Sequence, residues 1–174
     1  GPTKDNSLSV DSQISAQRYQ WTVNVFDGNS YFNLIPTKGP VLSDFYAAVT
    51  VQFTQGGDDG MAAYGLTFRQ VNNDYGFFGI TQTGLFRVLE VHNTGVYQLW
   101  MSDSPAIERS PAALNHLAVA GVGSDFVFLV DDQVVGQMNA DLAPGQIGLG
   151  VDTLRKSPQA IVEFSDFQIN APSQ

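Results

Sequence analysis

Asp44–Gln55 reads DFYAAVTVQFTQ. Phe45, Ala47, Val49, Val51 and Phe53 fall on alternate positions, with Tyr46, Ala48, Thr50, Gln52 and Thr54 between them. A period of two sustained this long marks a β-strand with one face buried, because successive side chains point to opposite sides of a sheet. The first set is the core face. The second set meets solvent or a ligand.

The same pattern continues outward in both directions. Ala63–Thr81 reads AYGLTFRQVNNDYGFFGIT, two strand runs (Tyr64–Val71 and Tyr75–Thr81) broken by Asn72-Asn73-Asp74, residues that tolerate positive φ. Leu85–His92 and Val96–Met101 flank Asn93-Thr94-Gly95 as a further hairpin. Upstream, Tyr19–Phe26 and Tyr31–Ile35 flank Asp27-Gly28, which reads as another hairpin turn. Leu114–Gly121, Phe126–Val130 and Gln133–Met138 form a meander, and Gly145–Val151 and Ala160–Ile169 close the pattern. In the last run, Phe167 and Ile169 share the face of Val162 and Phe164 only if a residue bulges at Ser165-Asp166. Ala106–Leu117 is the strongest helix candidate, and Pro105 and Pro111 favour a turn there instead. Twelve short strand runs at this spacing predict an all-β, two-sheet antiparallel sandwich.

Composition bounds the function. The chain has 174 residues, 43% hydrophobic and 11% aromatic, enough for one sizeable core. Only 14% are charged, so neutral polar groups must cover the surface. The net charge is −9, and the eight bases are scattered except for Arg155-Lys156. Nucleic acid and anionic membrane surfaces both need a basic face, so neither is an expected partner. With no cysteine, disulfides, thiolate metal sites and a Cys nucleophile are excluded. Residues 1–17 read as a polar arm, 18–170 as the sandwich, and 171–174 as a tail. Gly1-Pro2 reads as a cleavage scar, so more chain is expected upstream in the parent protein.

Several stretches resemble bacterial concanavalin A-like lectin/glucanase domains, the laminin-G-like jelly rolls also seen in domain-of-unknown-function proteins related to 3-keto-disaccharide hydrolases. They are Tyr64–Arg69 with Asn72–Ile80, Asn115–Val119, Phe126–Val135, Gly145–Leu149 and Val162–Phe167. The resemblance spans about residues 20–170 and implies a jelly roll with one concave sheet. It also implies a secreted or cell-envelope module that binds carbohydrate, senses or adheres. Because the fold hosts many activities, it speaks to architecture more than to function. Retaining glucanases of this fold carry Glu-x-Asp-x-x-Glu or Glu-x-Asp-x-Glu on one strand, and no such run occurs here.

Glycoside hydrolysis takes two carboxylates across a cleft. Only Glu90, Glu108 and Glu163 are available as glutamates, on separate segments. A glycosidase-like enzyme acting on a disaccharide is therefore the rival reading, and a spacer packing on a neighbouring domain is the third. His92 and His116 have no partner at metal-ligand spacing and read as ordinary strand residues. Asp58-Asp59 with Asn72-Asn73-Asp74 would offer oxygen ligands to calcium if the two turns met. No catalytic set is expected. The expected ligand-binding face carries Tyr46, Gln52, Arg69, Tyr75, Phe77 and Arg87, where rings can stack on sugars and guanidinium groups can bond hydroxyls. The two arginines anchor that choice of face, since an unpartnered guanidinium in the core is costly.

Overall fold

The computed structural model describes residues 3–4, 8–27, 30–34, 39–55, 62–154 and 156–172. Among them are fourteen strands and no helix: β1 (Thr3–Lys4), β2 (Leu8–Ser15), β3 (Arg18–Val25), β4 (Ser30–Leu34), β5 (Phe45–Gln55), β6 (Ala62–Val71), β7 (Asp74–Ile80), β8 (Leu85–His92), β9 (Gly95–Asp103), β10 (Leu114–Val122), β11 (Asp125–Val130), β12 (Gln133–Asn139), β13 (Gln146–Thr153) and β14 (Ser157–Asn170). They form an eight-stranded sheet in the order β1-β2-β3-β14-β5-β10-β11-β12 and a six-stranded sheet in the order β4-β13-β6-β7-β8-β9. Every pairing is antiparallel. This is the expected two-sheet jelly-roll sandwich.

The core forms where the inner faces meet. β5 contributes Phe45, Ala47, Val49, Val51 and Phe53, all buried, as its alternation requires. The facing sheet contributes Tyr64, Leu66 and Phe68 from β6, Phe78 and Ile80 from β7, and Phe86 and Val88 from β8. Phe68 lies 4.9 Å from Phe126 and 6.0 Å from Phe128, so aromatic contacts tie the sheets together across the gap.

Two expectations change. Tyr19–Phe26 and Tyr31–Ile35 do not make a hairpin: β3 pairs with β2 and β14, whereas β4 pairs with β13 in the other sheet. Asp27 therefore begins a connection between sheets, and Gly28 and Ile35 lie outside the described residues. A turn-forming pair says that the chain reverses, not which neighbour it then joins. Second, the arm expected at 1–17 contains β2, hairpinned to β3 through Ala16 (φ 49°) and Gln17 (φ 64°). Leu8 and Val10 are buried against the core, which two apolar residues amid Ser, Asp and Gln did not announce. The stretch 106–117 is turns followed by the start of β10, in line with the turn that Pro105 and Pro111 favour.

The bulge in the last strand is present. Ser165 pairs with Thr50 and Gln168 with Ala48, so β14 carries one extra residue there, and Asp166 sits at φ 53°. Ile169 returns to the core beyond it, while Phe167 remains 39% exposed.

Candidate functional site

The outer face of the six-stranded sheet holds a second cluster. Alternation sends Ala63, Gly65 and Thr67 of β6 outward, with Tyr75, Phe77 and Gly79 of β7 and Arg87, Leu89 and Val91 of β8. Ala63, Phe77 and Leu89 form a small apolar cluster apart from the main core, and Tyr31, Tyr75 and Val91 pack on it.

Arg87 crosses this face. Register sets it opposite Gly79, Gly79 opposite Gly65, and Gly65 opposite Gly150. Those positions carry no side chain, so the guanidinium lies across the sheet and reaches β13. There its Nη1 donates to Asp152 Oδ2 at 2.6 Å and to the Asp152 carbonyl at 2.9 Å. Arg87 is fully buried, and the Asp152 side chain is 12% exposed. Burial pushes the Asp152 carboxyl up, and Arg87 pulls it back down only in part. Steric room explains the glycines: a Cβ on Gly79 would stand 2.5 Å from the Phe77 ring, and one on Gly150 2.5 Å from Thr67 Oγ1.

At one end of the face lies a cleft of about 400 Å³. Tyr31 and Tyr75 stack in its wall, ring centroids 4.2 Å apart and 12° from parallel. Phe77 meets Tyr31 edge-on behind them, and the Tyr31 and Thr67 hydroxyls are hydrogen-bonded. Burial and the charge of Asp152 push the Tyr75 phenol well above its ordinary range, so it stays protonated. The polar side of the cleft comes from two adjacent turns, with Gln70, Asn72 and Asn73 on one and His92 and Asn93 on the other. The turns are fastened together: Asn73 Nδ2 donates to Asn93 Oδ1 at 2.9 Å, and the Asn93 N–H donates to Asp74 Oδ1 at 2.8 Å. His92 Nε2 lies 2.8 Å from Glu90 Oε1, and Nδ1 lies 3.8 Å from Asp74 Oδ2. The hydrogen bond to Glu90, with both negative charges, raises the imidazole pKa. Buried Glu90 is also bonded by Gln98 Nε2 at 2.5 Å.

The six residues expected on one ligand face divide three ways. Tyr75, Phe77 and Arg87 share the outer face of the six-stranded sheet, but only Tyr75 is part-exposed. Tyr46 and Gln52 belong to β5, on the outer face of the other sheet, where Gln52 Nε2 donates to the Ala112 carbonyl at 2.6 Å. Arg69 leaves the outward set altogether. It is a bulge residue at φ 53°, since Phe68 pairs with Gly76 but Val71 with Asp74. That turn of the backbone swings it into the end of the sandwich, 97% buried, where it donates to the carbonyls of Leu142 (2.6 Å), Gly123 (2.7 Å) and Ser43. Its guanidinium carbon lies 5.3 Å from the Phe126 ring centre. A buried arginine is tolerable when carbonyls take its protons, a solution the alternation argument had not allowed for.

Glu90 and Glu163 do not face a common cleft. Glu163 lies on β14 between core residues Val162 and Phe164, so it points to the outer side of the eight-stranded sheet, bonded to Arg18 (2.7 Å) and Gln20 (3.0 Å). Glu108 bonds Ser110 in its loop. His116 lies on β10, its N–H on Asp131. Asp58 and Asp59 lie outside the described residues, and Asp74 is engaged by Asn93 and His92. Sequence reasoning missed Tyr31, Asn93 and Asp152. Tyr31 follows a connection between sheets, and Asp152 reads as a loop acid until β13 places it opposite Ala63.

No family model and no curated protein matches the sequence. Solved structures do match in fold. A carbohydrate-binding module CBM66 from Bacillus subtilis superposes with a TM-score of 0.69 at 18% identity, covering 95% of this chain and 96% of its own. A legume lectin-like domain from Entamoeba histolytica gives 0.62 at 11%, covering 96% and 90%. Sheep galectin-11 in complex with glycerol gives 0.53 at 10%, covering 82% and 98%. At these identities the likeness is one of fold: the chain has the jelly-roll architecture of lectins and carbohydrate-binding modules.

Proposed function

We propose that this chain is a non-catalytic carbohydrate-binding module of a secreted or cell-envelope protein, and that the sugar enters the cleft beside Tyr31 and Tyr75. One observation carries the reading: an aromatic stack stands next to a polar wall of amides and an imidazole, in one open cleft. A ring face packs on the C–H face of a pyranose or furanose, and amides match hydroxyls as both donors and acceptors. Tyr75 is the principal contact. Phe77 and Arg87 act beneath it, holding the sheet and the Tyr31 ring in place. The fold is shared with a carbohydrate-binding module and a legume lectin-like domain, which supports the class without naming the sugar. The separation of Glu90 from Glu163 removes support from the disaccharide-hydrolase reading.

A glycan array followed by titration calorimetry tests this. Tyr75→Ala is expected to weaken binding by about 1–3 kcal/mol, roughly 5- to 150-fold, with the fold intact. Tyr46→Ala, on the opposite sheet, is expected to leave affinity unchanged. A domain that binds no glycan, or one indifferent to Tyr75→Ala, refutes the assignment.

A further inference from the structure

Three contacts fasten the two turns that make the polar wall of the cleft. Asn73 Nδ2 donates to Asn93 Oδ1, and the Asn93 N–H donates to Asp74 Oδ1. The third contact runs through His92, the last residue of β8, whose side chain lines the cleft. Both of its ring nitrogens face carboxylates: Nε2 is 2.8 Å from Glu90 Oε1, and Nδ1 is 3.8 Å from Asp74 Oδ2. Tyr97 of β9 meets the ring edge-on, with centroids 5.5 Å apart. The titratable groups facing His92 are therefore Glu90 on its own strand, Asp74 on β7 and Tyr97 on β9.

A neutral imidazole has one N–H and one lone pair. Between two carboxylates it must set that lone pair against one of them, and only the imidazolium satisfies both. The two carboxylates are not equivalent. Glu90 is 2% exposed, and its other oxygen accepts from Gln98 Nε2, which also donates to the Asn139 carbonyl of the other sheet. Taking a donor from a buried carboxylate is costly. Asp74, its side chain 45% exposed, can take water in exchange. On losing a proton, His92 keeps its N–H on Glu90 and gives up Asp74. The hydrogen bond to Glu90, with the charges of Glu90 and Asp74, raises the imidazole pKa, so the exchange comes above about pH 6.5.

We propose that His92 is a proton-operated latch on the saccharide cleft. Protonated, it holds Asp74 and Glu90 at once and fixes the amide wall. Neutral, it releases Asp74, and the Asn93 N–H loses a fixed acceptor. The cleft then grips sugar more tightly in mildly acidic surroundings than in mildly alkaline ones. The effect on sugar rests on the reading of the cleft as a saccharide site, whereas the latch itself is a property of the protein alone. Linkage makes the effect reciprocal: bound sugar must hold the proton on His92 more tightly.

Two measurements on the full chain test the two halves separately. The first is nitrogen-15 NMR without sugar, from about pH 5.5 to about pH 8.5, following the His92 ring and the exchange protection of the Asn93 amide. The neutral ring is expected to carry its proton on Nε2, and Asn93 is expected to lose protection as the ring titrates. In His92→Gln and in Asp74→Asn, both checked for folding by circular dichroism, that protection should not follow pH. The second is calorimetry with the tightest-binding glycan from the array. Its Kd should rise about 5-fold or more over the same pH range in the unmodified chain, and stay flat in His92→Gln. A neutral ring protonated on Nδ1, Asn93 protection that ignores the titration, or a pH-dependent Kd that survives His92→Gln overturns the latch. A Kd independent of pH overturns it while the saccharide site stands. A chain that binds no glycan removes the saccharide site, and the NMR result alone then decides the latch.

Discussion

Arg87 and Arg69 lie two strands apart on the same sheet, on β8 and β6, and each ends buried in a different kind of region. Around Arg87 the sheet stays regular: glycines at 79, 65 and 150 clear a path, and the charge is met by Asp152. Around Arg69 the strand breaks register, and the charge is met by the carbonyls of three loops. The first region is an ion pair, sensitive to pH and to bulk. The second is a mechanical tie between β6 and the loops holding Ser43, Gly123 and Leu142. Burial pushes the Arg69 pKa down and Asp44 offsets it, with no carboxylate in bonding contact. Two buried guanidinium groups thus answer to different tests.

The largest separation comes from removing each charge. Arg87→Met should cost about 3–5 kcal/mol at neutral pH, because it strands a buried carboxylate. The Asp152 pKa is already raised, so the folded state binds that proton more tightly than the unfolded chain does. Its favourable contribution is present below the unfolded value and is lost as pH rises through the folded one. Without Arg87 the pKa rises further, and urea unfolding should show the variant's deficit shrinking as pH falls toward carboxyl protonation. Arg69→Met should cost less, about 2–3 kcal/mol, through carbonyls left without donors. That deficit should hold constant over the same pH range. Equal pH responses in the two variants would collapse the distinction.

Glycine substitutions probe the same contrast at smaller scale. Gly79→Ala should destabilise by about 1–3 kcal/mol through overpacking, since its Cβ would lie 2.5 Å from the Phe77 ring and 2.9 Å from the Tyr64 backbone. Gly123, whose carbonyl accepts from Arg69, has open space around its Cβ position but sits at φ 58°. Gly123→Ala should therefore cost about 1–2 kcal/mol, from backbone strain alone. Thermal denaturation of both variants compares a steric cause with a conformational one.

His92 gives the smallest effect. Its folded pKa is raised by Glu90 first and Asp74 second, so its contribution is full below about 6.5 and is lost as pH climbs through the raised value. A slight loss of stability is expected as pH rises above about 6.5, absent in His92→Gln. A flat wild-type profile would mean that the turns are held by Asn73, Asn93 and Asp74 without help from the imidazole.

The sandwich was legible in the sequence because a strand's period is local and the core rewards it. Phe45 through Phe53 had to share a face, and water decides which. The bulge at Ser165-Asp166 was legible for the same reason, as the break needed to return Ile169 to the core. Arg69 was not: alternation assumes an unbroken strand, and nothing in Phe68-Arg69-Gln70 marks a residue at positive φ. Neither was the separation of Tyr46 and Gln52 from Tyr75. Periodicity says which residues of one strand lie together, but not which sheet the strand joins or whether two outer faces are the same one. Nor could residues 31, 75, 93 and 152, scattered over 122 positions, announce a shared neighbourhood. Local chemistry determined the strands and their buried sides. Pairing order, set by how the two sheets exchange strands over a common core, decided where the cleft would be.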